Sequence, residues 1–295
     1  MPRDSRLGRF GIWSGAWSNA SRGDGPADTS EFDDAVAELD ALGYGTLWLG
    51  GSPAVDYAVP VLEAAPRITV ATGILSIWDY EAAEVAARRA ALERRYPGRF
   101  VLGLGVSHEG FTERYARPYS AMREYLDALD SAAEAVPAQA RVLAALGPRM
   151  LELARDRAAG AHPYLVTVEH TARAREILGE HALLAPELKV VLDPDLESAR
   201  ATARGYLRLY LKLPNYTNNL LRLGFEEDDF RDGGSDRLVN AVFALGDADA
   251  VAGRAVDFLA AGADHLAIQV VTDDPFHDLP RDAWRRLAGA LPLDG

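Results

Sequence analysis

Residues 100–106 read Phe-Val-Leu-Gly-Leu-Gly-Val, apolar or glycine throughout, with no polar residue at alternate positions. A strand with one wet face alternates apolar and polar side chains. A run without alternation is a strand covered on both faces, which is the signature of a parallel sheet wrapped by helices. The run passes directly into Ser107-His108-Glu109. In parallel α/β proteins the reactive groups collect at the C-terminal ends of the strands. This one stretch therefore constrains both the fold class and the place to look for chemistry.

The same unit recurs along the chain. Strand-like runs are expected at 10–13, 46–49, 68–75, 100–106, 141–146, 164–168, 188–192 and 265–271. Helical patterns separate them at 30–42, 55–65, 80–96, 118–135, 150–159, 171–178, 196–211, 235–243, 248–261 and 281–290. In the first of these Phe32, Val36, Leu39 and Leu42 fall at helical spacing and Gly43 ends the pattern. Eight right-handed βα repeats close naturally into a (β/α)8 barrel. An open doubly wound sheet would carry a glycine-rich fingerprint after its first strand, and Gly11-Ile12-Trp13-Ser14-Gly15 lacks it. No Pro/Gly-rich linker divides the chain, so one domain over 1–295 is expected. An irregular stretch at 214–234, with an insertion spanning about 214–247, falls between strands seven and eight.

Composition removes several functions. A formal net charge of −13 opposes a nucleic-acid partner, whose phosphates need a basic surface. With no cysteine there is no disulfide, thiol nucleophile or thiolate metal site. No apolar leader follows Met1, and no run of about 18 apolar residues occurs. The expectation is a cytoplasmic protein with no membrane partner.

If the fold is a barrel, its strand ends present Trp13 and Trp17; Gly50, Gly51 and Ser52; Thr72, Gly73, Ile74 and Trp78; Ser107, His108 and Glu109; Gly147, Pro148 and Arg149; Thr167; and Gln269. Most are flat, apolar or small. Such a rim suits a planar, largely apolar ligand that glycines let the backbone approach and aromatics stack upon. Each residue also has a plainer reading. The tryptophans could be rim packing. Gly147-Pro148 could be a turn, or a helix N-terminus that holds an anion beside Arg149. Gln269, inside an apolar strand, must find a partner in a ligand or in neighbouring backbone. Strand alternation favours His108 over Glu109 as the inward group, an acid, base or hydrogen-bond donor near neutral pH. No G-x-S-x-G or H-E-x-x-H pattern is present, and no metal site is expected. Asp193-Pro194-Asp195 reads as a turn and helix cap, and 226–229 as a solvated acidic face. Lys189 and Lys212 are poorly placed for the lysine chemistry of aldolase-type barrels.

Five segments in order carry a resemblance. They are Leu102-Gly103-Leu104-Gly105-Val106-Ser107-His108, Arg117-Pro118-Tyr119-Ser120-Ala121-Met122, Gly147-Pro148-Arg149-Met150, Ala161-His162-Pro163-Tyr164-Leu165-Val166-Thr167 and Asn215-Tyr216-Thr217-Asn218-Asn219. Together they resemble the bacterial luciferase-like monooxygenase superfamily and, more narrowly, its coenzyme F420-dependent oxidoreductases. The resemblance implies a deazaflavin or flavin lying across the strand ends of a barrel with an insertion after strand seven. It implies a non-proline cis peptide at the end of strand three, a position Gly73-Ile74 matches. It places the cofactor against Gly50, Gly51, Thr72, Gly73, Ile74, Ser107 and His108, with its phosphate side near Gly147, Pro148, Arg149 and Thr167. The substrate would be walled by Trp13, Trp17, Trp78, Tyr216, Asn218 and Gln269. The glucose-6-phosphate dehydrogenases of this class carry a glutamate acid where His108 stands and Asp-His where Gly51-Ser52 stands. Those departures argue against a sugar-phosphate substrate. The expected activity is hydride transfer between F420 and an uncharged small molecule, with His108 as proton partner. The alternatives are an FMN-dependent monooxygenase and a non-catalytic flavin-binding barrel. Family members often dimerise, so a homodimer is possible.

Overall fold

The computed structural model describes residues 5–20, 30–110 and 112–293. The first βα unit starts with β1 (Phe10–Ser14), buried along its whole length. A short helix, α1 (Ala16–Ala20), stands where a loop is expected, and the rest of that loop, 21–29, lies outside the described residues. Helix α2 (Ser30–Leu42) buries Ala35, Val36 and Leu39 against the sheet, and Gly43 leaves it at φ 94°. Next come β2 (Thr46–Gly50), α3 (Ala58–Ala64) and β3 (Thr69–Gly73). The expected third strand is broken at the Gly73–Ile74 peptide, which is cis, and resumes as β4 (Leu75–Ser76). Then follow α4 (Ala82–Arg95), β5 (Phe100–Gly105), α5 (Pro118–Asp130), β6 (Arg141–Leu143) and α6 (Pro148–Arg157).

The sixth strand is not where periodicity put it. It is β7 (Gly160–Ala161), and 164–168 is not a strand. Pro163 has no N–H to donate to a ladder, and Leu165 sits at φ 54°, outside the strand region. The apolar residues there are buried because they pack under the sheet's end, not because they belong to it. Thr167 instead caps α7 (Val168–Leu178), its side chain accepting from the His170 N–H.

The chain then runs through β8 (Leu183–Leu184) and β9 (Glu187–Val191), α8 (Leu196–Tyr210), α9 (Pro214–Arg222) and α10 (Asp236–Val242). The stretch expected to be irregular at 214–234 is thus largely ordered as α9 and a 3-10 segment, Glu227–Gly233. It ends with β10 (Phe243–Leu245), α11 (Ala248–Ala260), β11 (Leu266–Val270) and α12 (Arg281–Ala290).

Every named strand pair is parallel. The order β11-β1-β2-β3-β5-β6-β7-β8 gives the successive staves. β8 and β9 are two parts of one extended segment interrupted at Pro186, and that segment closes the ring. The Ala185 N–H donates to Ala161 O (2.9 Å) on one side, and the Ala267 N–H donates to Pro186 O (3.0 Å) on the other. The fold is a single-domain (β/α)8 barrel, with the helical insertion between its seventh and eighth staves; β10 is an added short strand beside β9. The barrel interior is filled, not open. Trp48 stacks on the His162 ring (4.0 Å, 9°) and its Nε1–H donates to His265 Nε2 (2.9 Å). Both histidines are fully enclosed, and burial drives them down to about 3 and about 4, so they are neutral fillers. Among the described residues no helix is long and apolar enough to cross a membrane.

Candidate active site

A cavity of about 880 Å3 opens at the C-terminal strand ends, where β1, β2, β3, β5, β6, β7 and β11 hand over to their loops. Its flattest surface is apolar and depends on missing side chains. Trp13 lies at its base and donates from Nε1 to Gly73 O (2.9 Å). A Cβ at Gly50 would fall 2.4 Å from the indole, and one at Gly73 would fall 2.7 Å from Nε1. Neither can exist with Trp13 in place. Gly105 makes the same room for Ile74, whose Cδ1 would meet a Cβ at 2.5 Å.

His108 borders this surface, half-buried, its ring 5.1 Å from that of Tyr216. The Asn215 amide approaches Nδ1 at 3.3 Å. An amide nitrogen only donates, so Nδ1 accepts and the neutral ring carries its proton on Nε2. Burial holds this imidazole below its ordinary value. Glu109 is exposed and does not line the cavity. Alternation is not what separates the two. The strand stops at Gly105, and Ser107 turns left-handed at φ 54° before His108 is delivered.

The α6 end of the cavity is polarised. Gly147 is the N-cap of α6, Pro148 its first residue, and no acidic side chain occupies the first turn. The Arg149 guanidinium lies over the Tyr119 ring (4.3 Å), and Arg222 Nη1 is 4.0 Å from where a Gly147 Cβ would stand. The helix dipole and two guanidiniums make this an anion-binding end. At another part of the rim Ser52 Oγ donates to Asp79 Oδ2 (2.6 Å) and accepts from the Ser76 N–H (3.1 Å).

Of the residues expected at the cofactor or substrate, eleven line this cavity: Trp13, Gly51, Gly73, Ile74, Ser107, His108, Gly147, Pro148, Arg149, Tyr216 and Asn218. Six stand behind it. Gly50 makes room for Trp13. The Thr72 hydroxyl is buried and bonded both to Gly103 O (2.7 Å) and to the Gly103 N–H (2.8 Å). Thr167 caps α7. Trp17 packs on Trp284 and Phe32 in the helical layer. Trp78 donates to Val106 O (2.5 Å). Gln269 is satisfied by side chains: Tyr164 donates to its Oε1 (3.0 Å) and its Nε2 donates to Tyr206 (3.0 Å). Residues that sequence reasoning did not single out include Tyr164, Tyr210 and Arg222. Asn215, Asn218 and Arg222 recur at i, i+3 and i+7 on α9, so a helical reading of 214–222 would have put them on one face. Among the described residues no group of three or more His, Asp or Glu is arranged to hold a metal.

A family model described as luciferase-like monooxygenase matches residues 9–265. The chain belongs to this family. The solved structures similar to this chain include both F420-dependent and FMN-binding enzymes. An F420-dependent secondary alcohol dehydrogenase in complex with an F420-acetone adduct is 12% identical, with a TM-score of 0.70 over 97% of this chain and 98% of that one. The coenzyme F420-dependent tetrahydromethanopterin reductase of Methanopyrus kandleri is 15% identical, with a TM-score of 0.72 over 96% and 98%. The oxygenating constituent of the Pseudomonas putida 3,6-diketocamphane monooxygenase, in complex with FMN, is 14% identical, with a TM-score of 0.66 over 97% and 100%. At such identities these likenesses speak to the shared fold. A search of functionally curated proteins finds no match.

Proposed function

We propose that the cavity holds coenzyme F420 and that the enzyme moves a hydride between the deazaflavin and an uncharged organic substrate. The carrying observation is one juxtaposition. An apolar lining of Trp13, Gly73 and Ile74, with Trp13 seated against Gly50 and Ile74 against Gly105, lies in the same cavity as the anion-binding end of α6. A planar ring tailed by a phosphate fits both. Gly51 and Ser107 would complete the ring's contacts, while Gly147, Pro148 and Arg149, joined by Arg222, would receive the phosphate. When bound, the deazaflavin supplies a two-electron hydride carrier.

The chain's own residues supply the rest. His108 would stand beside this surface as a hydrogen-bond donor, its Nε2–H meeting the charge that develops on the substrate oxygen. Tyr216 and Asn218, carried on α9, wall the substrate side with Trp13 and exclude water. Among the described residues the cations lining the cavity are Arg149 and Arg222, which would both meet the cofactor's phosphate, and Asp79 stands at the rim, an arrangement that disfavours a phosphorylated substrate. The narrower choice of F420 over FMN rests on the five sequence segments and on the F420-dependent relatives.

Titrating the purified protein with F420 and with FMN, read by quenching of tryptophan fluorescence, tests the assignment. Saturable F420 binding with weaker FMN binding supports it. Tight FMN binding without F420 binding would replace it with a flavin monooxygenase. His108→Ala is expected to keep F420 affinity within about threefold, the scale of one modest contact. Its turnover should fall by about 100-fold or more, as expected for loss of a donor to the developing charge.

A further inference from the structure

One wall of the cavity carries a buried polar cluster that the proposed hydride transfer does not use. Lys189 and Glu187 are both 0% exposed and paired at 2.8 Å. The Lys189 ammonium lies 3.5 Å from the centre of the Tyr164 ring and 5.1 Å and 5.7 Å from those of Tyr206 and Tyr210. The three hydroxyls meet one another: Tyr164 to Tyr206 at 2.5 Å, Tyr206 to Tyr210 at 2.9 Å, Tyr164 to Tyr210 at 3.2 Å. Gln269 ties the ring to the cation: its Oε1 accepts from Lys189 (3.3 Å) and lies within hydrogen-bond distance of the Tyr164 (3.0 Å) and Tyr206 (3.2 Å) hydroxyls. Tyr164 and Tyr210 also line the cavity.

We propose that the hydroxyls of Tyr164 and Tyr210, closed into a ring by Tyr206 and backed by the Lys189 ammonium, form a subsite that takes the carbonyl or hydroxyl oxygen of an uncharged ligand. This rests on the reading above only in taking that ligand to be the substrate.

Proton counting supports it. Gln269 Oε1 only accepts, so either Tyr164 or Tyr206 donates to it while the other donates across their shared 2.5 Å contact. Tyr206 already accepts from Gln269 Nε2 (3.0 Å). Tyr210 touches only the other two phenols in this ring and lines the cavity; with their protons spent, its single proton goes to one of them in the empty site, and a ligand oxygen would take that proton in exchange for the phenol contact. An ammonium against the face of a phenol draws electron density from the ring and strengthens its O–H as a donor. Burial raises the Tyr164, Tyr206 and Tyr210 hydroxyls well clear of ionisation or upward, so they act as neutral donors. The subsite joins the His108 side of the cavity through one residue: Tyr216 lies 5.1 Å from His108, 5.4 Å from Tyr210 and 6.3 Å from Tyr164, ring to ring.

The test uses 4-dimethylaminobenzaldehyde, an uncharged aldehyde whose absorption moves to longer wavelength when its oxygen accepts a hydrogen bond. The full-length protein without added cofactor is titrated, with occupancy read separately by tryptophan quenching. The expected result is a red-shifted bound probe in the wild type. Tyr210→Phe and Tyr164→Phe should lose the shift and weaken binding about three- to tenfold, the scale of one or two neutral hydrogen bonds. Removing the ion pair as a unit, Lys189→Met with Glu187→Gln, avoids stranding one buried charge and should leave the probe bound with a smaller shift. Thermal melting checks that each variant is folded; if Tyr164→Phe is not, Tyr210→Phe decides. No shift or no binding in the wild type, or an unchanged shift in the tyrosine variants, overturns the subsite. An unchanged shift in the ion-pair variant overturns the part given to Lys189. Because no cofactor is present, failure of the F420 titration with the red shift intact would remove the hydride reading and leave the oxygen site standing.

Discussion

Trp13 shows how little a residue's type says without its neighbours. Tryptophan at a strand end is ordinarily rim packing, yet here the indole lines the cavity and packs directly on Gly50 and Gly73, which present no side chain to it. Gly50→Ala puts a Cβ inside the ring's contact distance while leaving the residue's backbone conformation allowed. The expected cost is about 1–3 kcal/mol from overpacking, measured by denaturant unfolding, with cofactor affinity falling as the indole is displaced. Thr167 makes the opposite case. The resemblance placed it near the cofactor's phosphate, but its hydroxyl is engaged as a helix cap and is fully buried. Thr167→Ala is expected to lower stability by about 1 kcal/mol, seen in a thermal melt, and to leave F420 affinity unchanged. A hydroxyl at a strand end and a hydroxyl at a helix start look identical in a sequence when the strand boundary is misplaced by a few residues.

At the scale of elements, most of the barrel was legible because doubly covered strands must be apolar along their length. The runs at 10–14, 46–50, 100–105 and 266–270 left no other reading. Two elements were hidden for identifiable reasons. The sixth stave is only Gly160–Ala161, too short to show a pattern, while the buried Leu165 and Val166 beyond Pro163 imitate one. Helix α9 opens with proline and is rich in asparagine, which reads as a turn, so Arg222 at its last turn went unnoticed. The proposed anion end needs both elements, α6 for its N-terminal dipole and Arg149 and α9 for Arg222. Arg222→Gln is therefore expected to weaken F420 binding about three- to tenfold and to flatten its salt dependence, measured by titration at low and high ionic strength.

The whole molecule carries its site on a core that is partly polar. His162 and His265, stacked or bonded around Trp48 inside the barrel, sit at about 3 and about 4, below the 6.5 of an exposed imidazole. Below pH 6.5 the unfolded chain takes up protons that the folded chain refuses until the folded values are reached. Stability from these groups is complete above pH 6.5 and is lost as the pH falls toward 4. The loss should be about 2 kcal/mol for each histidine at pH 5. Urea unfolding between pH 7 and pH 5 should show it, and a flat profile would mean that the barrel interior is wetter than its packing indicates. No pattern in the sequence marked these two histidines as interior, since a histidine's burial is decided by which staves meet around it. The tyrosine ring over Lys189 was invisible for the same reason: Tyr164, Lys189, Tyr206, Tyr210 and Gln269 come from four separate elements and loops. The central claim joins all three scales, and a crystal structure with F420 soaked in tests it most directly. The deazaflavin ring is predicted against Trp13 and the Gly73–Ile74 peptide, within hydrogen-bonding reach of His108 through its substrate face, with the phosphate at Gly147, Arg149 and Arg222. A ring bound away from that surface, or a phosphate that leaves the α6 N-terminus untouched, would contradict it.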